Sequence, residues 1–586
     1  MSIFDFDDGE ALGSVLSVDT ATVVVRVNDV ERLRQLQVNR LAMLQSSRPG
    51  QHLIGVIQKI TRSAAEPKAH TRVDAGETDE EALPEVSLAR IALIGTLIDR
   101  IGPERDVFRR TLETVPEIEA RCFAIEGERL TRFMRVISSI SGDGHKLLLG
   151  HYTLDDRAEA YLNGNKFFQR HAVVVGSTGS GKSWATARIL EQVAELPNAN
   201  AVVFDIHGEY GPLSGTGFRH YRVAGPADLD SVGAARRDVL FLPYWLLGYE
   251  ALISMFVDRS DQNAPNQAMV MARTILEAKR AHLTSTDQRE LLDNFTIDSP
   301  IPFRIEHVIE KLTGLNTEVV EGARAGATKQ GDFHGKLSRM IQRLESRQSD
   351  RRLAFLFGAG EASFEVGWLE ELVSKLFASA ASQPDKGGGI KIIDFSEVPS
   401  DVLPVIVSLV AKLALSVQQW ALPTARHPVA LFCDEAHLYV PDRSGGSAAD
   451  EVSVGIFERI AKEGRKYGVG LVVISQRPSE VNRTVLSQCN NLVAMRLTNG
   501  EDQNVIRRLL PDSLGGYGDL LPVLDTGEAL VVGDASLLPS RIRLAKPTHK
   551  PNSGTVDFWD RWARSDVPES LAPAVSSWQR QTFKAQ

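Results

Sequence analysis

At 586 residues the chain is too long for one ordinary hydrophobic core, so two or three domains are expected. Its 43% hydrophobic and 24% charged content is that of a soluble globular protein, and no uninterrupted apolar stretch approaches the roughly 20 residues of a membrane helix. A net charge of −9 argues against a surface coated in positive charge for nucleic acid, while leaving room for a local basic channel. The start, Met1 to Asp8, is acidic and lacks the basic-then-apolar order of a secretion signal. Cys122, Cys433 and Cys489 are scattered, without metal-ligand or redox spacing, so ordinary thiols in the cytoplasm are expected.

In chain order, residues 10–62 read as β structure: Thr20 to Val27 and Leu53 to Ile57 are β-branched runs separated by turn residues. Ser63 to Pro84 is polar and acidic and reads as a surface loop; strand-like segments resume at Val86 to Gly95 and Arg121 to Ile125. A small antiparallel barrel is the economical fold for such strands, because closure removes their edges. From Leu147 the pattern becomes α/β. His171 to Val175 and Ala201 to Asp205 are short continuous apolar runs, as parallel strands buried on both faces require. A helix from Gly181 carries Trp184 to Leu190. Pro243 to Ala380 reads mostly helical, an insertion between strands of the sheet; Gly387-Gly388-Gly389 breaks it before Ile390 to Phe395. Further strands are expected at Val429 to Asp434, Gly470 to Ser475 and Leu492 to Leu497, then a strand pair from Gly527 and a tail. The expected domains are a barrel (1–150), an α/β core (151–242 and 388–545), a helical insertion (243–387) and a C-terminal tail (546–586).

The chemistry starts at Gly176-Ser177-Thr178-Gly179-Ser180-Gly181-Lys182-Ser183, a strand-to-helix loop of the phosphate-binding kind, with Trp184 following. Glycines let backbone N–H groups wrap phosphates, and the helix N-terminus adds a favourable dipole. Lys182 is placed to neutralise the β- and γ-phosphates of ATP and the Ser183 hydroxyl to ligate Mg²⁺. Asp434 and Glu435 end an apolar strand, which suits Asp434 to the metal's hydration shell and Glu435 to activating water as general base. Gln476, directly after another strand, can sense the γ-phosphate. Ring ATPases stabilise transition-state charge with a neighbour's arginine; Arg170 and Arg465 are the candidates, ahead of Arg459 and Arg496. His207 and Glu209 follow Asp205 at a strand end, where support by Asp205 and Glu209 is favoured over a separate metal centre. The run Arg339, Arg343, Arg347, Arg351 and Arg352 is interspersed with Glu345 and Asp350 and reads as a solvated face. Ser444-Gly445-Gly446 is similar to part of a transporter signature but follows the acidic pair instead of preceding it, so it reads as a loop.

Together these elements resemble the HerA family of hexameric DNA translocases, relatives of the FtsK pumps. Matching stretches are Gly176 to Ser183, Asp205 to Tyr210, Leu242 to Leu247, Asp434 to His437, Glu463 to Gly468, Ser475 to Val481 and Gly527 to Leu530. The resemblance implies a RecA-like P-loop core with a helical insertion behind an N-terminal β-barrel. It also implies a homohexamer threading double-stranded DNA with ATP and Mg²⁺, and trans-acting roles for Arg170 and Arg465. Partners implied at the barrel face are a NurA-like nuclease, or a sirtuin-like or nuclease effector in anti-phage defence. Two other readings stand beside it: a conjugation-type coupling ATPase, weakened by the lack of membrane helices, and a ring scaffold that activates an effector with regulatory hydrolysis.

Overall fold

The computed structural model describes residues 4, 6–27, 38, 40–64, 85–140, 146–229, 238–321, 328–382, 388–442, 446–554, 556–563 and 570–581. Most of the acidic stretch 63–84, together with Gly387, Ser444 and Gly445, lies outside them. The chain divides into two compact units: Met1–Ile189 with Gln476–Ser479 and Asn490–Pro547, and Leu190–Ser475 with Glu480–Cys489 and Thr548–Gln586.

The first unit opens with β1 (Gly13–Asp19), β2 (Thr22–Val27), β3 (Leu41–Gln45), β4 (Gln51–Ala64), β5 (Glu85–Ile101), β6 (Glu104–Arg109) and β7 (Arg121–Ala124). Their order is β2-β1-β7-β3-β4-β5, and the β2–β5 pairing closes a six-stranded barrel, with β6 added to the outer part of β5. Alternation along the strands fills the barrel with Val15, Val23, Val25, Leu44, Leu53, Ile57 and Ile91. The strands are less uniform than the sequence suggests: β4 and β5 run for 14 and 17 residues. They curl at a register shift between Ile54 and Gly55, where a Cβ on Gly55 would lie 2.4 Å from the Ile91 side chain. Helix α1 (Gly127–Ile140) then buries Phe133 against Phe4 and Phe108.

The chain continues through β8 (Leu147–Tyr152), β9 (Asp155–Leu162), α2 (Gly164–Gln169), β10 (Ala172–Val175) and α3 (Lys182–Ala194), and passes into the second unit within α3. There it forms β11 (Ala201–Asp205), β12 (Phe218–Val223) and β13 (Val239–Leu240), then helices α4 (Tyr249–Phe256), α5 (Ala264–Ser285) and α6 (Ile305–Thr317). A hairpin of β14 (Val319–Glu321) and β15 (Thr328–Gln330) precedes α7 (Ser338–Ser349) and α8 (Trp368–Phe377). Then come β16 (Ile390–Asp394), α9 (Leu403–Trp420), β17 (Val429–Cys433), α10 (Ala448–Tyr467), β18 (Val469–Ser475) and α11 (Arg483–Gln488). Apart from that hairpin, the strands of this unit are ordered β13-β12-β16-β11-β17-β18 and run parallel. Every residue of β11, β17 and β18 is buried, which explains their unbroken apolar runs. Helix α9 is the one described helix long and apolar enough to cross a membrane, but 72% of it is buried within the protein, as in a core helix.

Back in the first unit are β19 (Asn491–Ala494), α12 (Gly500–Leu509), β20 (Glu528–Gly533) and β21 (Ser540–Leu544). Its strands are ordered β10-β19-β20-β21-β8-β9; β10 and β19 are parallel and the remainder antiparallel. The α/β region from Leu147 therefore begins with an antiparallel hairpin. The tail (α13, Phe558–Trp562; α14, Ala572–Arg580) is clasped within the second unit. The buried Glu191 carboxylate accepts the N–H groups of Thr548 (2.9 Å) and His549 (2.7 Å), and the Glu209 carbonyl accepts that of Asn552 (2.7 Å). The fold class is thus a P-loop α/β core with a helical insertion behind an N-terminal β-barrel.

Candidate nucleotide site

Because β10 ends at Val175 and α3 starts at Lys182, the segment 176–181 must reverse direction in six residues. Gly179 (φ +75°) and Gly181 (φ +108°) take left-handed backbone angles that a side chain would oppose. Gly176 is needed for space, since a Cβ there would sit 2.3 Å from the Ser180 hydroxyl. The loop is braced by backbone. Ser177 N–H donates to the Arg496 carbonyl (2.9 Å), Ser180 N–H to the Ser177 carbonyl (3.0 Å), and Gly527 N–H to the Ser180 carbonyl (3.0 Å). Lys182 and Ser183 open α3 and are each only 7% exposed; Trp184 is half-buried. The first N–H groups of a helix lack intrahelical acceptors, so this loop and helix start form an anion cradle.

Gln476 joins that cradle: the Thr178 hydroxyl donates to its side-chain carbonyl at 2.6 Å. Ser177 meets Thr498, with hydroxyl oxygens 3.4 Å apart and the Thr498 N–H donating to the Ser177 oxygen at 3.2 Å. Arg496, Thr498 and Gly527 were not singled out as loop supports from sequence; they act through backbone or a small hydroxyl, which carries no spacing signature.

In the second unit the register Cys433↔Val473 sets the ends of β17 and β18 side by side. Asp434 and Glu435, just past β17, are each 1% exposed. Glu435 adopts φ 45° and ψ 46°, an uncommon conformation for a side-chain-bearing residue and one that concentrates at functional sites. His437 Nδ1 lies 3.3 Å from the Glu435 carboxylate and 3.3 Å from the Ser475 hydroxyl, linking the two strand ends. The buried Tyr439 hydroxyl donates to the Asp434 carbonyl at 2.9 Å. Such burial holds the carboxylates in fixed positions where charge interactions are strong. His437 and Ser475 lay within matched stretches, but their link appears only once β17 and β18 are paired.

Asp205 ends β11 opposite Asp394 on β16. Its carboxylate accepts the N–H groups of Glu209 (2.9 Å) and Tyr210 (3.0 Å), closing the turn that carries the exposed His207. Burial, with Asp394 and Glu209 nearby, pushes its carboxyl up to about 7 despite those hydrogen bonds. Among the described residues no cluster of three or more His, Cys, Asp or Glu side chains is arranged to hold a metal ion.

The two candidate arginines sit at the surface of different units. Arg170 caps α2, with its guanidinium 3.7 Å from Asp534 and its side chain 41% exposed. Arg465 is exposed on the last turn of α10, with no ion pair among the described residues. Arg459 bonds Gln419 at 3.0 Å, and Arg496 contributes its carbonyl to the loop. The basic run is largely neutralised in place: Arg347 pairs with Asp401, Arg352 with Asp350 and Arg339 with Asp261. Leu242 to Leu247 is a packing hub instead of a surface motif. Tyr244 bonds the Phe303 carbonyl at 2.6 Å, and the fully buried Trp245 meets Trp368 edge-on.

A family profile described as the central domain of the helicase HerA matches residues 147–414. Over this central region the chain is similar to the HerA family. Across 425 residues it is 24% identical to the DNA double-strand break repair helicase HerA of Pyrococcus furiosus, covering 68% of this chain and 69% of that protein. A probable helicase of Methanocaldococcus jannaschii is 24% identical over 438 residues, 74% of this chain and 73% of the relative. Among solved structures, VirB4 of Thermoanaerobacter pseudethanolicus is similar at TM-score 0.44 and 16% identity, covering 70% of this chain and 98% of that one. The bacterial conjugative coupling protein TrwB is similar at TM-score 0.43 and 12% identity, covering 73% and 94%. The chain thus has a P-loop NTPase fold whose central region is similar to that of HerA helicases.

Proposed function

We propose that this chain hydrolyses ATP, with Mg²⁺, to drive a homohexameric ring along double-stranded DNA. The observation that carries the reading is the phosphate loop, wound on Gly179 and Gly181 with Lys182 and Ser183 buried at the start of α3. Curated relatives of the chain include DNA double-strand break repair helicases. In this reading the loop N–H groups and Lys182 hold the triphosphate. A hydroxyl and a carboxylate are oxygen donors of the kind Mg²⁺ takes, and Ser183 and Asp434 would hold it; the metal supplies charge neutralisation across the phosphates. Glu435, oriented by His437, takes the proton from water, and Gln476 reports phosphate occupancy to Thr178. Arg170 and Arg465 act on a neighbour's nucleotide. The barrel docks a nuclease or a sirtuin-like effector, in end processing or in anti-phage defence.

The test is ATP hydrolysis with and without duplex DNA, together with translocation measured by displacement of a DNA-bound block. Turnover should rise on adding duplex and vanish in Lys182→Ala. Hydrolysis indifferent to DNA, with no block displaced, would overturn the motor reading.

A further inference from the structure

Beyond the Gly527 brace on the phosphate loop, the stretch Gly527 to Leu530 has no role above. Gly527 (φ +80°) donates its N–H to the Ser180 carbonyl at 3.0 Å and accepts Leu544 N–H at 2.8 Å. A Cβ built on Gly181 would lie 3.5 Å from the Gly527 Cα, so the two glycines pack backbone to backbone. What fixes this turn is the next residue. Glu528 is 3% exposed, and its N–H donates to the Asp525 carbonyl (3.0 Å) while its carboxylate accepts Asp525 N–H (3.2 Å). The same carboxylate takes Arg541 Nε at 3.0 Å and Arg543 at 3.1 Å. Arg543 is its direct cross-strand partner on β21, and Arg541 sits two residues along on the same face.

We propose that Glu528, clamped by Arg541 and Arg543, is a positioning residue for the phosphate loop, acting through the Gly527 N–H on the Ser180 carbonyl. The carboxylate ties β20 to β21 and closes the 525–528 turn, so the Gly527 N–H is held at one height behind the loop. An untethered turn releases the Ser180 carbonyl, and the N–H groups of 179–182 lose their shared aim at the β-phosphate. A charged clamp suits this task better than apolar packing, because charge-assisted guanidinium–carboxylate hydrogen bonds are directional. Glu528, Arg541 and Arg543 also line a cavity of about 890 Å³, so a neutral amide at 528 can be hydrated instead of collapsing the strands.

The inference rests on the ATPase reading, and its test separates the two. Equilibrium binding of ATP, steady-state KM and kcat, and thermal unfolding are measured for Glu528→Gln, Gly527→Ala and Lys182→Ala in the full chain. Glu528→Gln should raise Kd and KM for ATP about three- to tenfold with kcat within about twofold and the unfolding midpoint near wild type. Gly527→Ala, whose Cβ meets nothing within 4 Å, keeps the fold and should give the same split through its strained φ. Unchanged ATP affinity in both variants, with or without a lower midpoint, would reduce Glu528 to a structural brace. ATP binding unaffected by Lys182→Ala would instead sink the nucleotide-site reading itself, whatever the other variants do.

Discussion

The phosphate loop and the acidic strand end are built by opposite means. The loop is held almost wholly by main chain: positive-φ glycines, a carbonyl from Arg496 and an N–H from Gly527. Side chains hold the acidic end, where buried Asp434 and Glu435 meet His437, Ser475 and Tyr439. Backbone construction leaves the loop's path to the main chain, with Ser177 and Thr178 adding single side-chain bonds, but admits no residue with a Cβ at Gly181. Side-chain construction has the reverse sensitivity, since the Glu435 carboxylate has a specific partner in His437 and no glycine is required.

That contrast can be broken by variants at the two places, beginning with the largest effect. Lys182→Ala should lower kcat/KM by about 100-fold or more with ATP binding lost, whereas Glu435→Gln should keep ATP binding and lose a similar factor in kcat alone. Equal losses of binding in both variants would erase the distinction. Next, Trp245→Ala removes the largest fully buried side chain and should cost about 3–5 kcal/mol in denaturant unfolding, without a nucleotide-specific effect.

Third comes Asp205, whose folded carboxyl titrates near 7 against an ordinary value near 4. A raised carboxyl contributes stability that is full below about pH 4 and is lost as pH rises through about 7, on the order of 2–4 kcal/mol. The melting midpoint difference between wild type and Asp205→Asn should therefore change across pH 4–7 and flatten above it. Disrupting the Thr178–Gln476 hydrogen bond with Thr178→Val should reduce turnover by a few-fold, about 1 kcal/mol, and leave stability unaltered. Smallest, Arg347→Ala breaks an exposed ion pair with Asp401 and should change stability by under about 1 kcal/mol and duplex affinity not at all.

The same contrast explains what was legible in the sequence. Glycine spacing announces a phosphate loop because left-handed backbone admits few other residues, and buried parallel strands announce themselves as runs such as Val429–Cys433. The barrel was visible through alternation, but not its closure, since the β2–β5 pairing joins strands about sixty residues apart. The antiparallel hairpin of β8 and β9 was hidden by its half-polar pattern. The His437–Ser475 link and the Gly527 brace were illegible for one physical reason: each joins residues whose nearness is set by strand register and leaves no local periodicity.

The clasp on the tail has a consequence for how this chain can vary. Glu191 grips main-chain N–H groups of Thr548 and His549, and Glu209 offers a main-chain carbonyl to Asn552. Main-chain donors are supplied by every residue type except proline, so positions 548 and 552 can drift widely while the anchor survives, whereas His549 also meets Glu191 through its ring Nδ1 at 3.1 Å. Glu191 cannot drift, because only a carboxylate presents two acceptors there. The tail is thus fastened largely through its main chain, leaving the tryptophan-bearing segment beyond Asn552 free to be rewritten for new contacts without disturbing that anchor.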